Sequence, residues 1–381
     1  MRTCIKKISP AWIKNIFRRL RRIGFYFLDL AGGAVFFLLR LTHLLPAPAA
    51  FVKEGIRKIL IIRIDRIGDL VLSTPAIRAV RETFPESEIS LLVSKYTKDL
   101  VINNENVNKV LTVEENKIPN EFDLAIALHP GLRQNQLTFL SGAKYRLGYS
   151  GWGGAFFLTQ KLVDDRNVRI RHEIRSALEV VELAGCKTTN TDIEVSVTRE
   201  GEELAQDFLS EYSLGANDRL VVVHPGARQD YMRWRKDAFA QVSDQLIEQM
   251  NVKVILIGSN NERQLVESIN SLMKQKAINA LGLELTGLVS LIKRAALFIG
   301  NSTGPMHIAS ALKVPVVAIF GSSHPLDSYK TWGPQGENSV IITKNIGCPS
   351  CLPADCRRFE CMDLITAEEV FSAAKGLLER F

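Results

Sequence analysis

Residues 59–64 of this chain read ILIIRI. A continuous apolar run of this kind suits a strand buried on both faces, which only a sheet covered on both sides can hold. Gly68-Asp69 forms a turn behind it, and Ala76–Thr83 reads as helix. Ile89–Val93, Val107–Val113 and Asp123–Leu128 follow as strands, then a helix around residues 175–185 and a closing strand or linker at Asp192–Val197. The pattern then restarts. Arg219–Val223 is a strand ending in His224-Pro225-Gly226, Asp237–Gln249 a helix, Val252–Ile257 a strand and Glu262–Lys274 a helix. Phe298–Gly300, Met306–Leu312 and Val314–Phe320 read as strand, helix and strand. Such alternation implies parallel sheets with helices on both faces. With 381 residues, two α/β units in tandem and no visible repeat predict two Rossmann-like domains facing a cleft. Ligands in such sheets bind beyond the carboxyl ends of the strands.

The net charge of +7 invites a nucleic-acid reading. Its distribution argues against one. Residues 1–58 carry 12 Lys/Arg and 2 Asp/Glu, giving +10, and the rest of the chain sums to −3. A slightly acidic body without aromatic-basic interleaving does not coat a phosphate backbone. The excess sits in WIKNIFRRLRR (12–22), where Trp12, Ile13, Ile16, Phe17, Leu20 and Ile23 recur at helical spacing between basic residues. This is a basic amphipathic helix of the kind that lies on anionic membrane. Residues 23–39 are apolar except Asp29, and Arg40 closes the run. Four readings compete: a cleaved signal peptide, a single span that would export the body, an in-plane or re-entrant anchor with Asp29 and Arg40 near the interface, and a helical hairpin packed on the body.

Four loops carry candidate chemistry. In Gly300-Asn301-Ser302-Thr303-Gly304-Pro305-Met306-His307 a strand meets a helix. Ser302 or Thr303 can cap that helix, and Pro305 suits its first turn. The free N–H groups and the helix dipole make an anion site, and Gly304 lets a phosphate approach the backbone. A plain N-cap is the bland alternative. Asp69, in the first helical turn after the first strand, projects into the cleft as a general base toward a hydroxyl, or simply caps its helix. Gly226, Arg228 and Arg233 belong to a cationic loop suited to a diphosphate, with a solvated basic surface as the alternative. Glu262 follows a strand where it could meet ribose hydroxyls, although a glutamate at a helix start is expected anyway.

Four of the six cysteines, Cys348, Cys351, Cys356 and Cys361, fall within 14 residues. Four thiols suffice to hold a structural zinc ion tetrahedrally, while packed thiols or redox-sensitive pairs are the alternative.

In this order the stretches ILIIRIDRIGDLVLSTPAIRAVRETFP, VVVHPGARQDYMRWRKDAFAQV and LTGLVSLIKRAALFIGNSTGPMHIASALKVPVVAIFGSSHP, with the cysteine-rich tail, resemble the family 9 glycosyltransferases. The best-known members are ADP-heptose:lipopolysaccharide heptosyltransferases. The resemblance runs from about residue 57 to the C-terminus. It implies a GT-B fold with an acceptor domain at 56–200, a nucleotide-sugar domain at 215–362 and a C-terminal helix at 363–381, behind a membrane-associating segment at 1–55. It also implies inverting, metal-independent transfer of a sugar, expected to be heptose from ADP-heptose, to a lipid A/core-like, lipid-linked glycan. Asp69 matches the family's proposed base. The Ser302–His307 loop matches the donor diphosphate and sugar site, and Glu262 a ribose contact. The chain departs from the family pattern at Ser302, where members often have Asp, and at Met232, where Lys is common. Arg228 or Arg233 would replace that lysine. The alternatives are a transferase using another NDP-sugar and a non-catalytic sugar- or nucleotide-binding scaffold of the same fold. Because nucleotide sugars are cytoplasmic, the expected location is the cytoplasmic face of the inner membrane, on its anionic surface.

Overall fold

The computed structural model describes residues 11–46, 50–115, 117–166, 168–321, 324, 327–348, 356 and 359–381. Its frame is two six-stranded sheets, and every ladder in them is parallel. The first holds β1 (Lys58–Arg63), β2 (Glu88–Val93), β3 (Lys109–Thr112), β4 (Leu124–Ala127), β5 (Tyr145–Ser150) and β6 (Gln160–Val163), in the order β3-β2-β1-β4-β5-β6. The second holds β7 (Leu220–His224), β8 (Lys253–Gly258), β9 (Ile278–Leu281), β10 (Leu297–Asn301), β11 (Val316–Phe320) and β12 (Ser339–Thr343), in the order β12-β11-β10-β7-β8-β9. Both are the doubly wound order, with switch points between β1 and β4 and between β7 and β10. Register centres on the buried runs: Ile59 lies between Ile89 and Leu124, and Ile299 between Val223 and Val317.

Around the first sheet lie α1 (Ala11–Leu41), α2 (Ile67–Val71), α3 (Thr74–Thr83), α4 (Leu132–Leu140) and α5 (Glu173–Glu182). Around the second lie α6 (Arg199–Glu211), α7 (Lys236–Met250), α8 (Arg263–Leu272), α9 (Leu285–Lys293), α10 (Gly304–Ala311), α11 (Tyr329–Trp332), α12 (Glu360–Asp363) and α13 (Ala367–Arg380). Residues 192–197 form no strand and serve as the linker. Helix α6 starts where the first expected domain ends and packs on α9. Lys293 pairs with Glu202 at 2.9 Å, and Gly201 leaves room for the Thr286 carbonyl, which a Cβ would strike. The C-terminal helix is not a separate unit. Val370, Phe371, Ala374 and Leu378 of α13 are buried against α7 and the second sheet, and the Trp234 indole donates to the Ile365 carbonyl at 3.0 Å. β5, β6, β9 and β12 escape the sequence reading because they are short, polar or at sheet edges, without a continuous apolar run.

Residues Ala11–Leu41 form one continuous helix, not a hairpin. One face of α1 docks on the first half. Asp29 accepts a hydrogen bond from the Ala155 N–H at 2.9 Å, at the start of the short 3₁₀ turn Ala155–Phe157. Gly32 gives its space to the Phe156 ring. Phe36, 9% exposed, sits 5.3–5.5 Å from the rings of Phe139, Phe156 and Phe157. The opposite face is an apolar stripe in solvent: Leu20, Ile23, Phe27, Leu30, Leu38 and Leu41 are all exposed. Residues Ile23–Leu41 are long and apolar enough to cross a membrane.

Candidate active site in the cleft between the sheets

The carboxyl ends of both sheets open into one cleft of about 1440 Å³. Its floor is a contact between two short helix starts. α2 follows β1 and α10 follows β10, so both switch points deliver a loop-to-helix turn to the same place. Two glycines make the approach feasible. A Cβ on Gly68 would lie 2.7 Å from His307 Cδ2, and one on Gly304 would lie 2.8 Å from Ile67 Cβ. Gly304 therefore serves close helix packing, and it also lines the cleft. The halves are tied again by His172. Its Nδ1 accepts from the Ile174 N–H at 3.3 Å, leaving Nε2–H to donate to the Gly333 carbonyl at 2.9 Å. Burial lowers the pKa of His172 and, helped by the charge of His172, holds His307 at about 3, so both rings are neutral at pH 7.

Asp69 lines this floor with its side chain 14% exposed. It accepts from the Arg66 N–H and from Arg63 Nη2, each at 3.3 Å. Arg63, at the end of β1, is fully buried. It also donates to Glu173 at 2.9 Å and to the Asp69 and Leu128 carbonyls, and stands 3.6 Å from Asp65. Glu173 begins α5, where the helix dipole favours a carboxylate, and takes a second guanidinium from Arg166 at 3.1 Å. Burial raises the Asp69 pKa above the ordinary carboxylate range; Arg63 opposes this, while Glu173 and Asp65 add to it. For Glu173 burial acts in the same upward direction, but Arg63 and Arg166 prevail and the pKa is lowered. Two buried carboxylates at one arginine are thus driven apart, and the one facing the cleft is the more basic. Beside them Asp65 accepts from Gln134 at 3.1 Å and stands 3.5 Å from His129, whose pKa is lowered by burial.

Across the floor, Thr303 occupies the N-cap position of α10, yet no side chain caps the helix. Its hydroxyl bonds instead to His224 Nδ1 at 2.9 Å, so the expected Ser/Thr cap is not made, and among the described residues the first amides of α10 have no side-chain partner. His224 Nε2 faces Glu262 at 3.8 Å, and Glu262 also accepts from the Ser259 N–H and hydroxyl, each at 2.8 Å. Burial pushes the Glu262 pKa up, but His224 and Ser259 outweigh it and hold it at about 2. Gly226 makes this possible, since a Cβ there would collide with the Glu262 carboxylate.

Of the residues expected from the sequence, Asp69, Arg228, Glu262, Ser302, Thr303, Gly304, Pro305 and His307 line the cleft. Three expected residues do not line it: Met306, Arg233 and Gly226, the last of which makes room for Glu262. Met306 is fully buried under α10 and packs in the core. Arg233 is not a lining residue; it turns to Asp230 at 3.3 Å and the Ala227 carbonyl at 3.4 Å, and Met232 faces the cleft instead. Arg228 stays at the wall, 3.7 Å from Asp327. Cys351 lies outside the described residues. Cys348 and Cys356 are exposed and Cys361 half-buried, and among the described residues no group of three His, Cys, Asp or Glu side chains is arranged to hold a metal. The sequence reading missed Arg63, Asp65, His129, Arg166, Glu173 and Asp327. Each is ordinary in its local segment, and Arg63 and Glu173 meet across 110 residues of chain.

The profile of glycosyltransferase family 9 (heptosyltransferase) matches residues 116–361. Lipopolysaccharide heptosyltransferase 3 of Escherichia coli K12 is 26% identical over 338 residues, covering 82% of this chain and 95% of its own. Among solved structures, the family 9 glycosyl transferase from Veillonella parvula superposes with a TM-score of 0.75 at 23% identity, over 85% of this chain and 98% of its own. The E. coli ADP-heptose lps heptosyltransferase II does so with a TM-score of 0.71 at 20% identity, over 85% and 99%. The two-sheet architecture is that of these enzymes, and the chain is a glycosyltransferase belonging to family 9, the heptosyltransferase family.

Proposed function

We propose that this enzyme transfers heptose from ADP-heptose to a lipopolysaccharide-core or similar lipid-linked acceptor by a single inverting displacement. The observation that carries the reading is the contact of α2 with α10 through Gly68 and Gly304, which sets Asp69 beside the uncapped start of α10. The donor diphosphate lies over the α10 amides with Arg228 beside it, and Glu262, ionised at neutral pH, takes the ribose hydroxyls. Asp69 accepts the acceptor hydroxyl proton as that oxygen bonds to the anomeric carbon and the bond to the diphosphate oxygen breaks. The amides and Arg228 meet the charge left on the diphosphate, so no catalytic metal is required of this site. The donor half is the second sheet with α6–α13, and the acceptor half the first sheet with α2–α5.

The α1 helix belongs in the plane of an anionic membrane, on its cytoplasmic face. Its docked side is bound to the body from Phe25 to Phe36, so a spanning α1 would drag residues 139 and 153–157 into the bilayer. Its outward stripe runs about 31 Å, long enough to lie along a membrane surface. Turnover of ADP-heptose by Asp69→Ala on heptose-deficient lipopolysaccharide tests the base; a near wild-type rate refutes it. Protease protection of the body in inverted membrane vesicles refutes the topology.

A further inference from the structure

The cleft is larger than one ligand requires, since single-ligand pockets run to roughly 300–1,000 Å³. Part of its wall is not built by the two-sheet frame. Arg21 and Phe25 of α1 line it. They stand near Trp152, another lining residue, because Gly153 (φ +81°) leaves space for the Phe25 ring, which a Cβ would approach to 2.8 Å. The Arg21 guanidinium lies 5.4 Å from the Phe25 ring centroid, an arrangement that orients the cation. Arg21 and Phe25 share the docked side of the helix with Asp29, Gly32 and Phe36, and the apolar stripe faces the other way. Among the described residues Arg21 makes no ion pair, and neither does Arg66, a second exposed guanidinium on the same wall. Arg63 and Arg166, by contrast, are saturated by Asp69, Glu173 and Asp164.

We infer that α1 completes the acceptor site, with Arg21 binding an anionic group, a phosphate on the acceptor glycan, where the cleft meets the membrane-facing helix. The inference rests on the acceptor reading above. It makes α1 a specificity element as well as an anchor: a bilayer-embedded acceptor reaches Asp69 past Arg21 and Phe25, and a guanidinium over an aromatic ring selects acceptors carrying negative charge at that depth.

The test is a calorimetric titration of the full chain with the deacylated glycan of heptose-deficient lipopolysaccharide, either phosphorylated or dephosphorylated. Arg21→Gln raises Kd for the phosphorylated glycan about tenfold or more, a loss of about 1.4 kcal/mol, and leaves Kd for the dephosphorylated glycan unchanged; Arg21→Lys recovers part of the loss. Flotation with phosphatidylglycerol vesicles lacking acceptor is the same for wild type and Arg21→Gln. The inference is overturned by equal Kd values in wild type and variant, by equal losses for both glycans, or by failure of the wild type to bind. Loss of vesicle binding in Arg21→Gln also overturns it, since the arginine would then serve lipid headgroups. The titration needs neither donor nor turnover, so an enzyme that fails to transfer heptose leaves the result readable.

Discussion

Replacing Arg63 by Met removes the one cation that, among the described residues, touches Asp69, at 3.3 Å, while leaving the loop and its helix in place. At about 4 Å between charge centres and an effective dielectric constant near 20, that contact is worth about 4 kcal/mol, or about three pH units at 1.36 kcal/mol each. Asp69 is 14% exposed, so water entering the site recovers part of this, and we expect the acid limb of the pH–rate profile to rise by about one to two units. The direction follows from burial, which already raises Asp69 and which Arg63 opposes. The variant loses activity on the acid side of the profile and regains it as pH rises, because a base must be deprotonated to act. The assay is kcat/KM from pH 5.5 to 9.5, beside a thermal melt. Removing one member of a buried ion pair typically costs about 3–5 kcal/mol; Glu173 keeps Arg166, so the lower end applies. Arg63→Lys preserves the charge and serves as the folded control. If a folded Arg63→Met enzyme keeps the wild-type acid limb, Asp69 does not depend on Arg63 and the electrostatic account of the base is wrong.

Asp69→Asn lowers kcat about 10²–10⁴-fold. It also raises the melting temperature at neutral pH, because a carboxylate whose folded pKa is raised destabilises the fold where it is ionised; a lower melting temperature at pH 7 would contradict this. Glu262→Gln destabilises at pH 7, and its urea midpoint converges on that of the wild type as pH falls from about 4.5 to about 2, since the folded pKa of Glu262 lies below its unfolded one. Gly304→Ala costs about 1–3 kcal/mol by overpacking against Ile67, and Ile67→Ala in the same chain recovers stability; additive losses would show that the two helices do not bear on each other there. Gly32→Leu forces the Phe156 ring aside and releases α1 from the body, read as faster proteolysis within residues 20–45 with donor affinity unchanged.

Local segments carried much of the outcome. The runs at 59–64, 219–223 and 314–320 could be nothing but buried strands, so the parallel α/β class and the two-half organisation were legible from periodicity. Asp69 and the Ser302–His307 loop were legible too, since each lies within a few residues of its strand end. What the sequence withheld is contact between distant segments. Thr303 looks like a cap until His224, 79 positions away, takes its hydroxyl. Gly304 shows nothing locally of its close approach to Ile67, and Met306 is indistinguishable from its loop neighbours until the core closes over it. Asp69 becomes a basic carboxylate because the fold buries it, and Glu173, which meets Arg63 across 110 residues of chain, adds to the shift. The N-terminal charge excess was written in the sequence; the identity of the face that docks and the face that remains apolar in solvent was decided by Asp29, Gly32 and Phe36 meeting residues 139 and 155–157. Periodicity reports burial, which is local and repeats along the chain, whereas a pKa, a vacant amide or a cleft wall depends on which segments the topology brings within a few ångströms.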